Sequence, residues 1–241
     1  MKTRFLASVA NAAEAALALK AGADLIDVKN PIAGALGAAP LDEIRAIASL
    51  VRKRTPVSAT IGDLPMNPGP VAEAVRATAS TGVDFVKIGV FSGGDPCATI
   101  KGLRNAALDG VRLAAVLFAD QQPDFSLVDV IADSGFAAVM VDTAGKKSGR
   151  LTDCLDLNAL SGFIGRARRR GLLAGLAGSL RAEDIPVLLP LRPDILGFRG
   201  ALCAGSDRTA SMNADKARAV GQLIGARALA QRQKDVAPEA A

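Results

Sequence analysis

The chain of 241 residues contains no histidine, no tyrosine and no tryptophan. Without histidine, a Ser-His-Asp or Cys-His mechanism and a His-ligated metal centre are out of reach. Any acid or base working near neutral pH must then be a Lys, Asp, Glu or Cys tuned by its surroundings. Aromatic residues make up only 3% of the chain, too few for a base-stacking platform. The three cysteines, Cys97, Cys154 and Cys203, lie far apart with no CxxC spacing, so they read as ordinary thiols rather than a zinc site or a disulfide framework. No uninterrupted apolar run reaches the ~18 residues of a transmembrane helix. Met1-Lys2-Thr3-Arg4 leads straight into strand-like Phe5-Leu6-Ala7-Ser8-Val9, too short for a signal-peptide core and its cleavage site, so a cytoplasmic location is expected. The G-x-G-x-x-G and P-loop patterns are missing as well, which argues against a dinucleotide or nucleoside triphosphate. Neither a cofactor nor a metal is expected.

The net charge is +5, yet the basic residues are dispersed apart from Arg166, Arg168, Arg169 and Arg170. That group falls where a helix should end, and cations there suit the helix dipole. A non-catalytic module that binds nucleic acid is the competing reading. It would work through its outer surface and bind in a salt-dependent way. Neither nucleic acid nor a membrane is expected as a partner.

Half of the residues are hydrophobic, enough for a large core. Eight strand-like apolar runs stand out: Arg4–Val9, Leu25–Lys29, Pro56–Ile61, Phe85–Val90, Arg112–Phe118, Ala137–Asp142, Leu172–Ala177 and Ile195–Arg199. They are nearly continuous rather than alternating, as for parallel strands covered by helices. Helical segments separate them. Asn11 can cap the first, which stops at Gly22; Leu41 or Asp42 opens the second; the third follows Pro68-Gly69-Pro70. Asp95-Pro96 caps the fourth, and Phe125–Ser134, Asp156–Arg170 and Arg181–Leu189 supply three more. The last runs from about Asp207 to Gln233, before a polar tail over 234–241. Eight strands each followed by a helix predict an α/β protein with one (β/α)₈ TIM barrel.

Three strands break the apolar rule near their C-terminal ends. In Leu25-Ile26-Asp27-Val28-Lys29 the parity that sends Ile26 and Val28 to the helices sends Asp27 and Lys29 inward. The same reading sends Lys87 inward from strand four and Asp142 from strand six. All three strands are even-numbered, so these groups are expected to converge at the barrel mouth, the face where active sites of this fold sit. Burying a charge costs several kcal/mol by order of magnitude, and a fold needs none of these groups. Burial and a second cation nearby favour the neutral, nucleophilic amine. One lysine can then form a Schiff base with a carbonyl, and the other can move protons.

The strand-seven end, Leu176-Ala177-Gly178-Ser179, and the strand-eight end, Gly197-Phe198-Arg199-Gly200-Ala201, sit where barrels often hold phosphate on backbone amides. Gly178, Ser179, Gly200 and Ala201 are the candidates. Arg199 shares the parity of Gly197 and is read as bracing a helix. The loop after strand six adds Lys146-Lys147, of which Lys146, four residues after Asp142, is preferred as a site residue.

These stretches are familiar. Gly22 to Pro31 with Gly34-Ala35-Leu36-Gly37, then Val57-Ser58-Ala59-Thr60-Ile61-Gly62-Asp63 and Asp84-Phe85-Val86-Lys87-Ile88-Gly89, resemble the (5-formylfuran-3-yl)methyl phosphate synthase family. So do Asp142-Thr143-Ala144 and the strand-seven and strand-eight ends through Cys203. The resemblance implies a lyase that joins two glyceraldehyde 3-phosphates, releasing one phosphate and two waters, to make the furan precursor of methanofuran. It also implies Lys29 as the Schiff-base lysine and Lys87 as proton acceptor, assisted by Asp27, Asp142 and a lysine after strand six. Phe91-Ser92-Gly93-Gly94 departs from the tyrosine-bearing versions of that segment. A class I aldolase acting on another sugar phosphate is the alternative. Apolar residues on the last helix leave room for a homo-oligomer.

Overall fold

The computed structural model describes residues 2–51, 54–108, 110–145 and 149–236. Eight parallel strands close into a barrel in sequence order, with the first strand hydrogen-bonded to both the second and the last. They are β1 (Arg4–Val9), β2 (Leu25–Val28), β3 (Val57–Thr60), β4 (Phe85–Gly89), β5 (Leu113–Phe118), β6 (Ala138–Asp142), β7 (Leu173–Leu176) and β8 (Ile195–Phe198). Around them run α1 (Ala12–Lys20), α2 (Leu41–Val51), α3 (Pro68–Ala79), α4 (Pro96–Gly102), α5 (Arg104–Leu108), α6 (Leu127–Asp133), α7 (Leu151–Cys154), α8 (Leu157–Arg169), α9 (Ile185–Leu188) and α10 (Ala214–Val236). Among the described residues no helix is long and apolar enough to cross a membrane.

The strands are apolar on both faces because both faces are buried. Ile26, Val28, Ala59, Val86, Ile88, Val139 and Val141 join the layer between strands and helices. Leu6, Leu25, Val116, Phe118, Met140, Ala177 and Ile195 form a separate cluster inside the barrel. That division gives each strand its parity, and it directs Ser8, Asp27, Lys29, Lys87 and Asp142 to the interior. Gly175 is needed beside Met140, since a Cβ there would lie 2.6 Å from the Met140 Cγ.

Caps behave as their residue types dictate. The Asn11 side chain accepts the Glu14 amide, Asp95 accepts Ala98 N, and Asp156 accepts Ala159 N, each satisfying an orphan donor at a helix start. Arginines at the end of α8 pair with α6: Arg166 and Arg170 with Asp129, and Arg170 with Asp133.

Two expected helices differ. The Arg181–Leu189 segment is a 3₁₀ turn at Ala182–Asp184, the single turn of α9, and a second 3₁₀ turn at Leu189–Leu191. Pro186 and Pro190 remove the amides that a continuous helix would use. The final helix starts seven residues later than expected. Asp207 accepts the amide and hydroxyl of Thr209 in a local turn, and Asn213 accepts the amides of Asp215 and Lys216 to open α10. The helix runs on to Val236 into the expected tail, whose remaining residues lie outside the described ones.

The β2–α2 connection folds inward over the mouth. Leu36 is fully buried and joins the interior cluster with Ala35, a burial worth roughly 1.5–3 kcal/mol for the leucine. The strap is held from two sides. Asp63 accepts the Ala35 and Leu36 amides, each at 2.8 Å, while Arg208 donates to the carbonyls of Gly34 at 2.7 Å and Ala35 at 3.3 Å.

Candidate active site

Parity alone put four charged groups inside the barrel, and the geometry sorts them by depth. Asp27 and Lys87 form the lower pair. The Lys87 Nζ lies 3.1 Å from Asp27 Oδ2, with the two side chains 4% and 0% exposed. Asp27 also accepts the Ser8 hydroxyl on the same oxygen at 2.9 Å and the Ser58 hydroxyl on Oδ1 at 2.6 Å. Burial works against its charged form. Lys87, then Lys29, and the Ser58 hydrogen bond outweigh that cost and hold the carboxyl below its ordinary value.

Lys29 stands one inward position higher on β2. It is 6% exposed and lines a cavity of about 430 Å³ at the C-terminal ends of the strands. No carboxylate lies within 4.0 Å of its amine among the described residues, so its charge is only partly compensated. Burial pushes the amine below the ordinary lysine value. Asp142 and then Asp27 pull it back, and Lys87 and Arg208 push further down. A buried, electrostatically destabilised ammonium sheds its proton readily and leaves a nucleophile. Asp142 lines the same cavity, and its Oδ1 accepts the Thr143 amide at 2.7 Å.

The four charged groups therefore do not share one level, as parity had suggested. Lys29 and Asp142 line the cavity, whereas Lys87 and Asp27 do not. Alternation tells inside from outside; it does not rank depth along a tilted strand.

The ends of β7 and β8 contribute the residues expected to hold phosphate. Gly178, Ser179, Gly200 and Ala201 all line the cavity. Gly178 has φ +109, and a Cβ there would press to 3.0 Å on both the Cγ2 and the amide nitrogen of Thr143, so the β6 and β7 ends approach closely only with glycine. Arg150, Arg181 and Arg208 add positive charge to the cavity lining. Arg199 braces a helix as expected: its guanidinium pairs with Glu14 of α1, and it also holds the Ser8, Arg208 and Ala210 carbonyls. Lys146 and Lys147 lie outside the described residues. The loop leading to them is anchored by Asp120, which accepts the Ala144 amide at 2.9 Å and the Gly145 amide at 2.7 Å. Among the described residues no cluster of three or more acidic or thiol side chains could hold a metal ion.

Sequence reasoning missed Ser8, Ser58 and Arg208. The two serines were visible as polar residues at inward positions of apolar strands. Arg208 reaches the site from an irregular segment with no periodicity to reveal it.

Comparison with known proteins bears on this arrangement. The 4-HFC-P synthase family matches residues 5–221, a span that takes in every strand except the first residue of β1 and every residue that lines the cavity. The chain belongs to that family. A Methylorubrum extorquens protein is 43% identical over 212 residues, covering 88% of this chain and 87% of that one. The (5-formylfuran-3-yl)methyl phosphate synthase of Methanopyrus kandleri is 39% identical over 220 residues, covering 86% of this chain and 92% of its own. Among solved structures, 3-hexulose-6-phosphate synthase from Salmonella typhimurium superposes with a TM-score of 0.67 at 18% identity, covering 93% of this chain and 99% of that one. That likeness speaks for the barrel alone.

Proposed function

We propose that this member of the 4-HFC-P synthase family is a carbon–oxygen lyase that condenses two molecules of glyceraldehyde 3-phosphate into (5-formylfuran-3-yl)methyl phosphate, with release of one phosphate and two waters. The observation that carries the reading is the Lys29 amine. It is buried, without a carboxylate in ion-pair range among the described residues, and set in a cavity also lined by glycine turns and arginines. Its attack on an aldehyde, followed by loss of the carbonyl oxygen as water, gives an iminium, which acidifies the adjacent carbon and supplies an electron sink. Lys87 and its counter-ion Asp27 form the pair that receives the proton. Asp142 faces the reacting centre from β6, and Lys146 is proposed to assist from the loop that follows. The enamine then attacks the second aldehyde, and loss of phosphate and water leads to the aromatic ring.

The phosphate groups are held by the amides around Gly178-Ser179 and Gly200-Ala201. Such amides bind anions wherever they converge, and the nearby guanidinium groups strengthen the field. A small phosphorylated aldehyde is the partner this reading needs. At the end of α8, Arg166 and Arg170 are engaged by Asp129 and Asp133 of α6.

The test is product analysis after incubation with glyceraldehyde 3-phosphate. The reading expects one phosphate released for every two aldehydes consumed, together with a furan phosphate identified by mass. A different carbon–carbon product with no phosphate release would move the chain to an aldolase of another sugar phosphate.

A further inference from the structure

The depth difference between the two lysines raises a question of access. Lys87 and Asp27 do not line the cavity in which Lys29 stands. A proton leaving a substrate bound to Lys29 therefore needs a group that touches both the cavity and the pair. Three groups surround the Asp27 carboxylate: Ser58, Lys87 and Ser8. Of these, only Ser8 also lines the cavity.

Ser8 sits on β1 directly opposite Asp27 in the strand pairing, and it is 4% exposed. Its hydroxyl donates to Asp27 Oδ2 at 2.9 Å, the same oxygen that accepts Lys87 Nζ at 3.1 Å. With its one proton committed downward, the oxygen presents its lone pairs to the cavity. The strand end that carries it is pinned, since the Ser8 carbonyl accepts Arg199 Nη1 at 3.3 Å and Arg199 is itself locked to Glu14. Such a hydroxyl is aimed and held, as proton transfer over hydrogen-bond distances requires.

We propose that Ser8 is a catalytic residue that takes the proton leaving the Lys29-bound substrate and relays it to the Asp27–Lys87 pair. The inference rests on the imine chemistry proposed above. In the step, the C–H bond next to the iminium breaks and its electron pair becomes the enamine C=C, while the C=N pair returns to nitrogen. The proton goes to Ser8 Oγ and the original Ser8 proton passes to Asp27 Oδ2, the oxygen that already accepts the Lys87 ammonium. Substrate loses one proton and the Asp27–Lys87 pair gains one, carried on the Asp27 carboxyl; Ser8 ends unchanged.

The test separates imine formation from proton transfer. With glyceraldehyde 3-phosphate in D₂O, deuterium entering the carbon next to the carbonyl reports proton transfer, and a borohydride-trapped adduct reports the imine. Ser8→Ala is expected to keep wild-type trapping on Lys29 and to lose exchange by about 100-fold or more, within the usual contribution of a positioned acid or base. Ser8→Thr, which restores a hydroxyl, is expected to recover exchange to within about tenfold. Ser58→Ala removes an Asp27 donor on the side away from the cavity and is expected to lose less exchange than Ser8→Ala. If Ser8→Ala fails to give a cooperative melt, Ser8→Cys keeps the volume with a weaker donor and is expected to show the same split. Exchange at the wild-type rate in folded Ser8→Ala or Ser8→Cys would overturn the proposal. So would parallel loss of trapping and exchange, which would make Ser8 a support for Lys29 instead. Absence of any adduct in the wild-type protein would instead remove the imine reading beneath it.

Discussion

Aspartate occurs at both ends of this barrel and does different work at each. At the N-terminal end, Asp24, Asp84 and Asp194 immediately precede β2, β4 and β8. Each carboxylate accepts the amide of a residue in the preceding strand: Phe5 at 2.9 Å, Val57 at 2.8 Å and Ala174 at 2.9 Å. The same residues return the bond, each aspartate amide donating to the carbonyl of its partner at 2.8 Å. At the C-terminal end, Asp27 satisfies hydroxyls and an ammonium, and Asp142 faces a lysine. The first set completes the backbone ladder where strands start. The second has no ladder to complete and places negative charge opposite buried cations. In this fold the bottom face reads as stability and the top as chemistry, and the two kinds of aspartate differ by only three residues in the sequence, Asp24 against Asp27.

That contrast can be broken by mutation, starting at the top. Lys29→Ala is expected to reduce furan phosphate formation by on the order of 10³-fold or more, as removal of a covalent nucleophile does. Its thermal melting should stay at or above the wild-type value, because the alanine buries no charge. The sign of the pH effect follows from the lowered Lys29 value. Adduct formation needs the neutral amine, so its rate should rise with pH and level off below the ordinary value of 10.5.

Asp27→Asn comes next, because it strands Lys87 without a counter-ion. Breaking such a buried pair costs about 3–5 kcal/mol, to be read from urea melts at neutral pH. The Asp27 carboxyl is held below the ordinary 3.8. Its contribution is therefore fully present above 3.8 and is lost as pH falls through the folded value. The gap between wild type and variant should narrow below pH 3.8; a gap that widened there would contradict the assignment.

At the bottom face, Asp194→Ala should lower stability by about 1–3 kcal/mol by leaving the buried Ala174 amide unpaired, while turnover per folded molecule stays at the wild-type level. A large loss of turnover there would erase the distinction between the two ends. Asp24→Ala should cost less, since its side chain is 30% exposed and water can replace it.

How much of this was legible in the sequence depends on the physical signal at each place. The strands were readable because burial on both faces writes a continuous apolar run, and the runs match the observed strands to within a residue or two. Inward placement of Asp27, Lys29, Lys87 and Asp142 followed from alternation. Their depths did not, because strand tilt and register decide which inward residue reaches the cavity. The 181–191 segment misled because its helical composition hides Pro186 and Pro190, which break it into single turns. Ser8 escaped because charge, rather than polarity, was the flag. Arg208 comes from an irregular segment, where no period announces which way a side chain points. The strap around Leu36 carried a family-like motif in sequence, but only packing shows that it closes over the interior.

The most direct test of the account is to reduce the protein with borohydride in the presence of glyceraldehyde 3-phosphate and map the modified lysine by peptide mass spectrometry. The account predicts an adduct on Lys29 and none on Lys87, whose amine sits on Asp27 and does not line the cavity. An adduct on Lys87, or none at all from folded protein, would contradict it.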